Sequence, residues 1–294
     1  MYAVTNHHVA CTGGSSVVRV NTTDGDSEVF EFGPDEWEFD PRFDIAVKSI
    51  SLKSGFHAFA SIPVEAFLSK SDVQRLDIGP GDDLFMVGRF VDIDVGRANS
   101  PAVRFGHLST MPTPVEQPNK RIADVFCADI HSRTGYSGSP VFVYRTAFSD
   151  LEIAPSKDLA DAKIPLVGTQ LLMLLGINFA QFPEYWEIKA GDVVPDETGL
   201  PLIRKGDYVK GLSGMSCVLP AWSILEVLNL PALVSERARV NALWAKQSRP
   251  AVPDAMSTSG ENGGLYPSND ENPMHREDFS RLLNVAAKTP PQDD

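Results

Sequence analysis

At 294 residues, with 43% hydrophobic and 22% charged side chains, the chain is long enough to bury one large core or two smaller ones. Its formal net charge is -13 and no cluster of Lys and Arg interrupts the acidic balance, which argues against a phosphate backbone, and so nucleic acid, as partner. Three cysteines, Cys11, Cys127 and Cys217, lack C-x-x-C spacing and are odd in number, so neither a zinc knuckle nor a dense disulfide framework is expected. No apolar run reaches the length that spans a bilayer.

In chain order, residues 2–10 form an apolar, strand-like run that ends in the pair His7-His8. Residues 16–20 and 27–32 are short β-branched and aromatic runs separated by Thr23-Asp24-Gly25-Asp26, the pattern of a hairpin. Asp44 follows as a lone carboxylate inside Phe43-Asp44-Ile45-Ala46-Val47, and residues 45–50 continue the strands. After Pro63 a short helix-like segment covers 64–68, and residues 65–78 read as a linker. Residues 82–88, 103–109 and 121–128 are further strands; many short strands with Gly and Pro turns predict an all-β architecture.

Residues 134–140 follow, Thr-Gly-Tyr-Ser-Gly-Ser-Pro, leading into an apolar run. Beyond them, 145–165 is a polar insertion, and 166–168 and 171–179 return to strand character. Helical spacing marks 220–228 and 231–247. Residues 248–272 have the Pro, Ser, Asn, Gly and Asp content of a flexible linker, and 276–288 carry Phe279, Leu282, Leu283 and Ala286 at helical spacing, a short amphipathic segment able to dock on its own barrel or on a protein partner.

Ser137 is the residue with the clearest chemical signature. Glycine on either side lets the backbone turn sharply, so that the hydroxyl projects while nearby amide N–H groups converge on one point, the arrangement of an oxyanion hole. A serine is a poor nucleophile without a base, and a base needs a group to orient it. His8 and Asp44 supply both, in the order His, Asp, Ser that recurs in one of the three triad arrangements.

On these residues the chain resembles the chymotrypsin-like (trypsin-like) serine proteases, in particular their bacterial high-temperature-requirement and glutamyl-endopeptidase branches. The family's Thr-x-x-His falls on Thr5 to His8 and leaves His7 a bystander; its Asp-Ile/Leu-Ala-Val/Leu falls on Asp44 to Val47; its Gly-x-Ser-Gly-Gly/Ser-Pro falls on Gly135 to Pro140. The resemblance covers roughly residues 2–230. It implies two six-stranded antiparallel β-barrels, the first truncated at its N-terminus because so little chain precedes His8, with C-terminal helices. The units expected are a first barrel at 1–70, a second barrel with the helices at 71–247, and a tail at 248–294.

It further implies peptide-bond hydrolysis by His8, Asp44 and Ser137 without metal or cofactor, and an oxyanion hole at the backbone N–H groups of Gly135 and Ser137. Carried over without gaps, the resemblance puts His131 at the base of the primary specificity pocket and Asn178, Phe179 and Ala180 along the substrate-binding strand.

Two departures qualify it. Tyr136 stands where animal trypsins have the Asp that pairs with a newly cut N-terminus, and Asn178 stands where glutamyl endopeptidases have a His, which leaves Glu specificity in doubt. The chain as written carries no secretory signal, so a cytoplasmic location is expected. A lipase-type elbow is rejected because Ser139 breaks Gly-x-Ser-x-Gly and the single histidine after Ser137 is His275. The alternative function is a catalytically silent protease-like domain that binds peptides along a strand edge and partners through 276–288.

Overall fold

The computed structural model describes residues 1–89, 97–131, 135–145, 171–189, 198 and 206–247. The chain divides into two compact units, Met1–Val227 and Leu228–Asp294.

The first half of the larger unit holds six short strands in two three-stranded sheets. One sheet sets β1 (Tyr2–Thr5) against β5 (Ala46–Ser49), with β4 (Glu38–Phe39) on the far side of β5; Val4 lies opposite Val47 and Thr5 opposite Ala46. The other is the expected hairpin, β2 (Ser16–Thr22) with β3 (Ser27–Phe32), extended by β6 (His57–Ala58). Trp37 anchors a small core with Ala10 and Ala46, and its indole N–H donates to Ser16 Oγ at 2.9 Å, so the one polar atom of a buried ring is satisfied.

The second half is a closed antiparallel barrel of six strands, ordered β10-β11-β12-β9-β8-β7. Its strands are β7 (Asp83–Arg89), β8 (Pro101–Glu116), β9 (Ile122–Asp129), β10 (Pro140–Arg145), β11 (Leu171–Glu187) and β12 (Tyr208–Pro220). Closure comes from β10, which pairs with β11 on one side and with β7 on the other, Val141 lying opposite both Gly176 and Met86. This pairing closes the barrel, and Leu84, Met86, Phe126, Val141, Leu175 and Val218 fill the interior. At roughly 1.5–3 kcal/mol for each such side chain, this core dominates the unit's stability.

Residues 65–78 are not a free linker. Between a 3₁₀ turn at Val64–Ala66 and the barrel stands α2 (Lys70–Arg75), following α1 (His7–Ala10) in chain order. Ser69 and Asp72 cap α2 reciprocally, each side chain accepting the other's N–H at 3.1 Å. Leu68 donates to the Leu174 carbonyl, and Leu68 and Ile78 enter the barrel core. The linker expectation failed because the apolar residues that hold this stretch are spaced too irregularly to show a helical face.

α3 (Ala221–Leu228) follows the last barrel strand as expected. The expected helix at 231–247 is α4 (Pro231–Gln247), within the second compact unit. It begins with Pro at its first turn, where the missing N–H costs nothing, and Arg237 reaches back to the Leu228 carbonyl. The polar insertion at 146–165, the strand at 166–168 and the tail at 248–294 with its 276–288 segment lie outside the described residues.

All three thiols are free. Cys127 and Cys217 face each other across β9 and β12, both buried, and burial together with the neighbouring Cys127 pushes the Cys217 thiol up to about 12. Cys11 is half-buried, and burial followed by the Asp44 charge raises it as well. Since the thiolate is the reactive species, iodoacetamide at pH 8 is expected to modify native protein once, slowly, at Cys11. Peptide mapping that finds rapid modification of Cys217 before unfolding would contradict this packing.

Candidate active site

His8 comes from α1, a single helical turn immediately after β1. Asn6 caps it through its carbonyl, which accepts the Val9 and Ala10 N–H groups. Asp44 lies in the loop just before β5 and is fully buried. Since β1 and β5 are hydrogen-bonded neighbours, the sheet fixes the spacing of His8 and Asp44.

The Asp44 carboxylate accepts the His8 backbone N–H on Oδ1 at 2.9 Å and stands 2.6 Å from the imidazole Nδ1 through Oδ2. A carboxylate at zero exposure would be very costly unpaired; here both oxygens have partners on one residue. With Nδ1 donating to the carboxylate, Nε2 is left as the acceptor, and it stands 3.1 Å from Ser137 Oγ. His7 points elsewhere, its ring packing on Phe39 at 4.4 Å.

The Asp44 main chain is held just as fully. Its carbonyl accepts from Asn6 Nδ2 at 2.9 Å, and its N–H donates to Gln117 Oε1 at 2.7 Å. Neither Asn6 nor Gln117 was singled out from sequence. Asn6 had a local signal, an N-cap residue type one position before the helix. Gln117 had none, since its partner is 73 residues away.

Ser137 sits in the turn before β10. Gly135 and Gly138 on either side have φ of +97° and +83°, in the left-handed region where a side chain is strained, which is the physical content of the flanking glycines. Ser139 N–H closes the turn on the Tyr136 carbonyl. Asn178 of β11 then clasps it: its carbonyl accepts from Gly138 N–H, its N–H donates to Ser139 O, and its side-chain Nδ2 donates to Tyr136 O at 3.0 Å. Tyr136 is fully buried, with the Arg104 guanidinium 4.9 Å from its ring centroid.

His8 and Asp44 come from the two-sheet half and Ser137 from the closed barrel, so three segments far apart in sequence meet at one point. This is a chymotrypsin-like β-barrel fold. No protein-family model matches the chain, and no curated protein matches it. The structural comparison finds the MamO protease domain from Magnetospirillum magneticum, solved in its apo form, with a TM-score of 0.42 and 16% sequence identity over 78% of this chain and 83% of that one.

The residues expected to meet substrate divide. Asn178, only 2% exposed, has its main-chain donor and acceptor and its side-chain amide N–H engaged by the Ser137 turn, which it supports. Phe179 lies in a bulge of β11 opposite β12 with its ring buried, and Ala180 is half-buried. Past Ile177 no described strand pairs with the second edge of β11, so the backbone at 179–181 remains a strand edge. His131 is exposed, its ring lying against Gly214 of β12. For the expected oxyanion hole, the Ser137 N–H donates to no acceptor among the described residues. Among those residues no group of three His, Cys, Asp or Glu side chains converges as a metal site.

Proposed function

We propose that this chain is a serine endopeptidase in which Ser137 is the nucleophile, His8 the general base and Asp44 its orienting carboxylate. The observation that carries the reading is the unbroken line from Asp44 Oδ2 through the His8 ring to Ser137 Oγ, 2.6 Å and 3.1 Å long. His8 Nε2 takes the Ser137 proton as Oγ attacks a peptide carbonyl, and later delivers it to the leaving amine. Asp44 keeps the proton-accepting nitrogen turned to the serine and stabilises the imidazolium. The tetrahedral oxyanion is received by the N–H groups of Gly135 and Ser137, and the substrate backbone lies along the open edge at Phe179 and Ala180. Each oxyanion donor contributes about 2.7–4 kcal/mol in comparable enzymes.

Within the protease family, the Gly-Tyr-Ser-Gly-Ser-Pro turn favours the bacterial glutamyl-endopeptidase or high-temperature-requirement branch. With buried Tyr136 in place of a carboxylate, activation by pairing to a newly cut N-terminus is not part of the mechanism.

Intact-mass analysis after exposure to a fluorophosphonate tests the reading, because only an activated serine reacts quickly. One adduct per chain is expected, mapped to Ser137 and abolished by Ser137→Ala and by His8→Ala. A folded protein that takes up no label would replace the enzyme with the peptide-binding alternative.

A further inference from the structure

The tip of the β8–β9 hairpin belongs to the closed barrel, yet it grips the loop that carries Asp44. β8 runs for 16 residues, pairing with β7 through its first part and with β9 through its second, and register shifts around Thr110 bend it between the two roles. Its tip is a tight turn: Gln117 N–H donates to Arg121 O, and Lys120 N–H, from a residue at φ +65°, returns to Gln117 O.

From this turn three side-chain bonds reach three residues of the opposite loop. Asn119 Nδ2 donates to Pro41 O at 3.2 Å, Gln117 Nε2 donates to Arg42 O at 2.9 Å, and Gln117 Oε1 accepts from Asp44 N–H at 2.7 Å. Gln117 is 1% exposed. Taking an amide out of water is favourable only when its polar atoms are matched, and here both ends are. The chemistry needs one acceptor and one donor on the same arm: a carboxylate would set an acceptor against the Arg42 carbonyl, and asparagine is one methylene shorter.

Resting on the triad reading above, we propose that Gln117 is a positioning residue for catalysis: it fixes the Asp44 main chain, and through it the imidazole, from the barrel that carries Ser137. The base and the nucleophile sit on different sheets, so their 3.1 Å approach depends on whatever ties those sheets together. Gln117 does so at the backbone of the residue that carries the orienting carboxylate. A displacement of about 1 Å in such a constellation costs about 100-fold in rate.

The test compares Gln117→Leu with Asn119→Ala, which removes the outermost of the three bonds and serves as a control for loosening of the loop. Three readouts are taken: thermal stability, the rate of fluorophosphonate labelling at Ser137, and the low-field proton resonance of His8 Nδ1–H against Asp44. Gln117→Leu is expected to label roughly 10- to 100-fold more slowly and to lose or broaden the low-field resonance, whereas Asn119→Ala keeps both. Wild-type rate and resonance in folded Gln117→Leu would overturn the assignment. If the wild-type protein itself takes up no label, the protease reading fails, and the low-field resonance still decides whether Gln117 orders the His8–Asp44 pair. Should Gln117→Leu fail to fold, Gln117→Met fills the same space with neither the acceptor for Asp44 N–H nor the donor to Arg42, and wild-type values there likewise overturn the proposal.

Discussion

Asp44→Asn is expected to slow acylation of Ser137 by about four orders of magnitude, the loss that the same change produces in the chymotrypsin triad. The reason lies in hydrogen-bond polarity. The Asp44 oxygens accept from the His8 main chain and from His8 Nδ1. An asparagine in the same rotamer keeps its single oxygen on the His8 backbone N–H, because that donor cannot turn round. Its NH₂ then faces Nδ1 and forces that nitrogen to accept. The ring proton moves to Nε2, which now donates towards Ser137 Oγ and cannot take its proton. Size and shape are conserved, so the fold survives, with a stability loss of about 1.5–3 kcal/mol for the charged hydrogen bonds given up. Labelling rates of wild type and Asp44→Asn, with thermal unfolding alongside, measure both effects. A rate within tenfold of wild type would mean that Asp44 does not orient the base.

Much of this was legible in the chain because the relevant patterns are local. The β2–β3 hairpin announced itself through two β-branched runs around Thr23-Asp24-Gly25-Asp26, and the barrel strands through short apolar runs between turns. His8, Asp44 and Ser137 stood in short motifs whose composition follows from their local needs: a helical turn after a strand, a carboxylate flanked by apolar residues, a serine between glycines. What was not legible is set by long-range packing. Gln117 lies in an ordinary polar turn, and nothing within ten residues shows that its amide is spent on Asp44. Asn178 was expected to meet substrate because the family resemblance, carried over without gaps, placed it on the substrate-binding strand. Its burial and its bonds to Tyr136, Gly138 and Ser139 emerge only once β11 is laid beside the turn. α2 was missed because its Ser69–Asp72 cap is short and its apolar neighbours belong to the barrel rather than to a helix face.

Gly138→Ala is expected to be strongly damaging for a change of a single methyl group. Gly138 is needed twice. Its φ of +83° costs an alanine about 1–2 kcal/mol, and an alanine Cβ would lie 2.4 Å from Thr5 Oγ1 and 3.3 Å from both Cα and Cβ of Thr5, closer than van der Waals packing allows. Thr5 ends β1 and precedes the cap of α1, while Gly138 follows Ser137, so the clash falls between the segments that carry His8 and Ser137. Overpacking of this kind adds about 1–3 kcal/mol, for a combined destabilisation of about 2–5 kcal/mol. Activity falls further than stability alone explains, because relief of the clash lengthens the 3.1 Å separation between His8 Nε2 and Ser137 Oγ. Thr5→Ala in the Gly138→Ala background removes the clash at 2.4 Å but leaves the backbone strain and the crowding against the Thr5 main chain. The double variant should therefore regain part of the labelling rate and part of the lost stability, and neither in full. Equal stability and rate in the single and double variants would show that Thr5 does not meet Gly138, and that the two halves of the site are held apart by something other than this pair.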